Sequence, residues 1–219
     1  MDNKNGNDSL HSIRKKLSKT HELISVTFHE AGHAVYGLLH LMRVESVCIV
    51  DGPRVGGLTL YNSLGESALK EDSPNTLYDL YINEVAIKYA GLAAEKIHYK
   101  KISGSNKFPM ILRDGSSDDT LSAAYLIRKH DLSPAGKKRS SFKKKLIREV
   151  SLELENHWDA VTVIAHALFD RKKIYFDDIK NILIKKTEDK EFWKNKFKDI
   201  NYIYNNIGSI DKKYIIPIL

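Results

Sequence analysis

With 219 residues, the chain has room for one medium-sized domain and its tails. Apolar residues at 42% and charged residues at 29% place it among globular proteins, and no apolar run approaches the roughly 20 residues that span a bilayer. The net charge of +7 is scattered, with clusters at Lys137–Arg139 and Lys143–Lys145. No zinc finger, aromatic RNA-binding signature or recognition helix accompanies it, so neither a specific nucleic acid nor a membrane span is expected. The single cysteine, Cys48, excludes a disulfide framework and any Cys-rich zinc module, and the polar stretch Met1 to Glu22 lacks the apolar core of a secretory signal. A reducing, cytoplasmic setting is the expectation.

Residues 1–20 are rich in Asn, Asp, Ser and Lys and read as a loose, basic N-terminal arm. From Glu22 to about Met42 the pattern changes: Ile24, Phe28, Ala31, Val35, Leu38 and Met42 recur at steps of three and four, which predicts a helix with one apolar face. The segments VESVCIV and GGLTLYNS, separated by a turn at Asp51–Gly52–Pro53, predict two strands. Ser73–Pro74 opens a second long helix running to about Tyr99, and 101–116 lack a period and read as a loop. Ser116–Ser117–Asp118–Asp119 begins a third helix that ends near His130. Two more helices are predicted, over about 142–170 and from Asp177 to about Lys186. The stretch 187–219 is charged and aromatic, ends in YIIPIL, and reads as a C-terminal extension of unassigned role. The predicted fold is mostly α: one helical domain over 21–186, with a small β-sheet or hairpin beside its first helix.

That helix carries His29–Glu30–Ala31–Gly32–His33, an H-E-x-x-H pattern. Positions i and i+4 stack on one helical face, so both imidazoles can reach one ion. Glu30, beside the first ligand, has the carboxylate needed to take a proton from a water activated by the ion, here expected to be Zn2+. Gly32, in mid-helix, costs about 1 kcal/mol against Ala, which predicts the close approach of another backbone. His40 lies about 10 Å further along the axis at 1.5 Å rise per residue, too far to share the ion. With His11, His21, His98, His130, His157 and His166 it reads as a surface or packing residue. Zinc needs a third protein ligand, and two candidates stand out: Glu84 on the second long helix and Asp119 at the start of the third. Spacing alone leaves both open.

Taken in order, His29–Glu30–Ala31–Gly32–His33–Ala34, the strand pair ending GGLTL, YAGLAAEKI and DGSSDD resemble the peptidase domain of FtsH-type zinc proteases over about 20–185. In that family a Gly followed four residues later by Asp supplies the third ligand, which maps Gly115 onto Asp119. The segment Ala90 to Glu95 resembles the family's Gly-Gly-Arg-x-Ala-Glu-Glu, with Leu92 and Lys96 standing where the family usually has Arg and Glu. The resemblance implies a metalloendopeptidase with His29, His33 and Asp119 on zinc, Glu30 as catalytic base, and the strand Gly57–Leu58–Thr59–Leu60 as the edge that pairs with an extended polypeptide substrate.

FtsH-type proteases also carry an ATPase module and a membrane anchor; this sequence has no G-x-x-x-x-G-K loop. The expected activity is therefore ATP-independent hydrolysis of unfolded or flexible polypeptides, leaving room for a separate ATPase in trans and for a homo-oligomeric ring. Two rival readings are a narrow-specificity peptidase that clips one partner protein, which Glu84 as ligand would favour, and a non-catalytic zinc-containing peptide-binding adaptor, against which Glu30 speaks.

Overall fold

A computed structural model of the protein describes residues 5–52, 55–62, 74–105, 117–133 and 138–206. Helix α1 (Asn5–Leu39) is buried without interruption from Thr27 to Leu39, and the rest of the domain is arranged around that stretch. The apolar stripe alone predicts burial of one face. Several of the remaining positions are small, as at Gly32, Ala34 and Gly37, or belong to the H-E-x-x-H set, so neighbours close on the helix from every side. α1 also begins at Asn5, well before Glu22, within the segment read as a loose arm. No proline interrupts this segment, and extending an existing helix costs far less than nucleating one. The stripe thus marks where α1 packs rather than where it starts.

At its C-terminus α1 closes through Leu41, whose φ of 61° is left-handed, with the Met42 amide donating to the Gly37 carbonyl at 2.8 Å. The chain then enters β1 (Arg43–Asp51), which pairs antiparallel with β2 (Val55–Asn62) as the hairpin expectation requires. A third strand, β3 (Lys173–Tyr175), pairs with the other side of β1, so the sheet order is β2-β1-β3. Three residues are too few to show a period, which is why β3 escapes a sequence reading. Pro53 of the predicted turn, and Gly115 and Ser116 before the third helix, lie outside the described residues.

Helix α2 (Pro74–Ser103) lies against α1 through the small residues Ala90, Gly91 and Ala94, all buried. A Cβ on Gly32 would stand 2.6 Å from both the Ala90 carbonyl oxygen and the Ala94 Cβ, so this glycine permits the close backbone approach its mid-helix position predicts. Helix α3 (Ser117–Lys129) follows with Asp118 and Asp119 in its first turn, favourable to the helix dipole. The stretch predicted as one helix over 142–170 is two: α4 (Arg139–Asn156) and α5 (Trp158–Arg171). His157 leaves helical geometry between them and stacks on Phe192 at 4.9 Å. Apolar spacing continues across the break and hides it.

After β3 come α6 (Phe176–Lys186) and α7 (Lys190–Asn206). Trp193, Phe197 and Ile200 recur at steps of four and three and are fully buried, so this part of the C-terminal extension belongs to the same core. Tyr204 also accepts from the Arg43 amide at 3.1 Å and donates to the Asn62 carbonyl, tying α7 to the hairpin. Among the described residues no helix is long and apolar enough to cross a membrane.

Candidate metal centre

The stacking of i and i+4 on α1 brings His29 and His33 together, their Nε2 atoms 2.9 Å apart. The first turn of α3 adds Asp119, whose Oδ2 lies 3.1 Å from each of those nitrogens. All three residues are about 95% buried or more. Glu84 does not join this group, so of the two candidates for third ligand the fold delivers Asp119. Asp118, next to it, is exposed.

The hydrogen bonds on the far side of each ring define what faces inward. His33 Nδ1 lies 2.7 Å from the Ile87 carbonyl oxygen, which can only accept, so Nδ1 carries the proton. His29 Nδ1 donates in the same way to Glu95 Oε1, while Ser25 Oγ donates to Glu95 Oε2 at 2.8 Å. In the neutral rings both Nε2 atoms then present lone pairs, and they face each other and a carboxylate oxygen. Three converging acceptors repel one another unless a cation lies among them. Donors on a tetrahedral zinc site, at about 2.0–2.1 Å from the ion, are roughly 3.3 Å apart, close to the observed triangle. The residues therefore fit a divalent metal, with Glu95 and the Ile87 carbonyl orienting the rings as outer partners do in metal sites.

Burial by itself would depress the His29 pKa, but bonding to Asp119 and Glu95 and the charges of Glu95 and Glu30 raise it well above its ordinary value. Burial likewise would raise Asp119, yet His33 and His29 hold it well below the usual carboxylate range.

Glu30 is buried but stands outside the ligand group. It is held from β2: Thr59 Oγ1 donates to Glu30 Oε2 at 2.6 Å, a charge-assisted length. A Cβ on Gly57 would lie 2.3–2.6 Å from Glu30 Cγ, Cδ and Oε1, so the glycine leaves the space that the carboxylate fills. Strand alternation separates the four residues predicted as a substrate edge: Gly57 and Thr59 face Glu30, and Leu58 and Leu60 point to the other side of the sheet. The same face of β2 continues to Tyr61, which interacts with Lys88 of α2. Lys88 Nζ in turn lies 3.5 Å from Asp119 Oδ1.

The other histidines pack as expected. His98 stacks on Phe28 at 3.7 Å, His130 on Tyr81 at 3.6 Å, and His40 pairs with Glu153 at 3.1 Å. The side chain of His11 lies outside the described set. Glu95 has a sequence signal in the Ala90–Glu95 segment, though not one that names its role. Ile87, Gly91 and Glu95 recur at steps of four, and this is legible as a site face only once α2 is known to lie on α1. Compared with known proteins, the chain matches no family model and no curated protein.

Proposed function

We propose that this chain is a zinc-dependent metalloendopeptidase acting on unfolded or flexible polypeptides, with His29, His33 and Asp119 holding the metal and Glu30 as the catalytic base. The observation that carries this reading is the division of labour among four buried polar residues. Three present acceptors to one point, while Glu30, one residue from the first ligand, is kept out of that set by Thr59 and Gly57. A purely structural metal site has no use for a further carboxylate held ready at its border.

Zinc, when bound there, supplies Lewis acidity, polarising a carbonyl and bringing the pKa of water from 15.7 to about 7. Glu30 takes the proton of the attacking water and passes it to the leaving amine nitrogen. Thr59 occupies Oε2, which leaves Oε1, over Gly57, to receive and release that proton. β2 is at the end of the sheet order, and among the described residues no strand pairs with its outer side. An extended substrate adding there as a further strand would run past Glu30.

The ordered resemblance to FtsH-type peptidase domains supports the same assignment. Asp119 rather than Glu84 in the ligand group removes what would have favoured a narrow regulatory peptidase, and the presence of Glu30 speaks against a non-catalytic adaptor. Incubating the purified protein with an unfolded generic protein tests the reading. Digestion should stop with chelator and return with zinc. Intact substrate in the presence of fully zinc-loaded protein would overturn it.

A further inference from the structure

Each of the three ligands has a second heteroatom that faces away from the other two, and α2 holds all three of these atoms. Glu95 takes His29 Nδ1, the Ile87 carbonyl takes His33 Nδ1, and Lys88 stands 3.5 Å from Asp119 Oδ1. The first two are acceptors and strengthen the imidazoles as donors to a metal. The third is a cation, and its effect has the opposite sign. We infer that Lys88 is a positioning residue for the metal centre, holding Asp119 Oδ1 so that the carboxylate meets the ion through Oδ2 alone.

Three observations support this. The Lys88 side chain is 11% exposed beside an Asp119 that is 3% exposed, so the pair is shielded from the solvent that weakens surface ion pairs. The two carboxylate oxygens are already differentiated: Oδ2 is equidistant from both Nε2 atoms, and Oδ1 is turned to the ammonium. The charges also balance. Glu30, Glu95 and Asp119 bring three buried carboxylates, Lys88 returns one positive charge, and the two negative charges left over match one divalent ion. Without Lys88 the loaded centre would keep a buried negative charge, and Asp119 would be free to chelate through both oxygens. Tyr61 of β2 interacts with Lys88, so the strand that carries Thr59 also reaches the cation beside the ligand on α3.

This inference rests on the metal-centre reading, and its test separates the two. Parent protein, Lys88→Met, Lys88→Gln and Lys88→Arg are each loaded with Co2+ for visible absorption and titrated with Zn2+ against a chromogenic chelator. Circular dichroism checks the fold, and Lys88→Gln, which keeps a donor without the charge, is read in place of Lys88→Met should the latter unfold. The uncharged variants should still take one ion, bind zinc at least as tightly as the parent because a cation beside the site is gone, and show weaker Co2+ bands, as expected when a second carboxylate oxygen raises the coordination number. Lys88→Arg should restore the parental spectrum. Uncharged variants with the parental spectrum would overturn the role of Lys88 while leaving the metal centre intact. A parent that holds no ion would overturn both.

Discussion

His29 is the residue through which pH acts on this centre. Its pKa in the metal-free fold lies well above the ordinary 6.5, because Asp119 and Glu95 outweigh the effect of burial. A group raised in this way stabilises the fold fully below its unfolded pKa and loses that contribution as pH rises through the folded one. Metal-free protein should therefore lose thermal stability as pH climbs from about 6.5, whereas zinc-loaded protein, in which the ion replaces the proton, should not. Asp119 has the reverse sign: its depressed pKa contributes above its ordinary 3.8 and is lost as pH falls. Zinc affinity should begin to fall at a higher pH than an ordinary imidazole would give. Melting curves of both forms from pH 5 to 9 check this, and a flat metal-free profile would contradict it. Asp119→Ala should reduce zinc retention under mild chelation far more than Asp118→Ala or Glu84→Ala. The H-E-x-x-H residues were legible because their spacing is itself geometric. Asp119 and Glu84 were not separable by spacing, since the choice between them depends on where α3 begins in space.

At the scale of elements, glycines set how closely α1 meets its neighbours. Gly56 and Gly57 are adjacent on β2 but differ in what an added methyl would meet: nothing within 4 Å for Gly56, the Glu30 side chain at 2.3–2.6 Å for Gly57. Gly57→Ala should displace Glu30 and cut peptidase activity by about 100-fold or more, the scale of a lost general base, with zinc content unchanged. Gly56→Ala should be nearly silent. Equal activity in the two variants would mean that β2 does not position the base. Gly32→Ala, which forces α1 from α2, should cost about 1–3 kcal/mol in chemical unfolding. The helices themselves were legible from apolar spacing and Ser/Asp/Pro starts. The break at His157 and the strand at Lys173–Tyr175 were not, because one interrupts no period and the other is too short to have one.

For the molecule as a whole, the ordering of elements around α1 means that the His29–His33–Asp119 group, Glu30 and the edge strand depend on one core. α7 shares it through Trp193 and Phe197, which no chemical motif announces and only a four-three spacing hints at. Zinc at 100 times its dissociation constant should add about 2.7 kcal/mol to the unfolding free energy, seen as a rise in melting temperature that chelator reverses. These 219 residues carry no phosphate-binding loop, and folding stabilities of about 5–15 kcal/mol shield a well-folded substrate from pairing with β2. The protein alone should digest unfolded chains, spare a stable domain and ignore added ATP. The most direct test of the central claim is Glu30→Gln assayed beside the parent for zinc content and for digestion of an unfolded protein. The amide is nearly isosteric and cannot act as a base, so both proteins should hold about one zinc per chain and only the parent should cut. A Glu30→Gln variant that keeps its zinc and still cuts at near the parental rate would contradict the account.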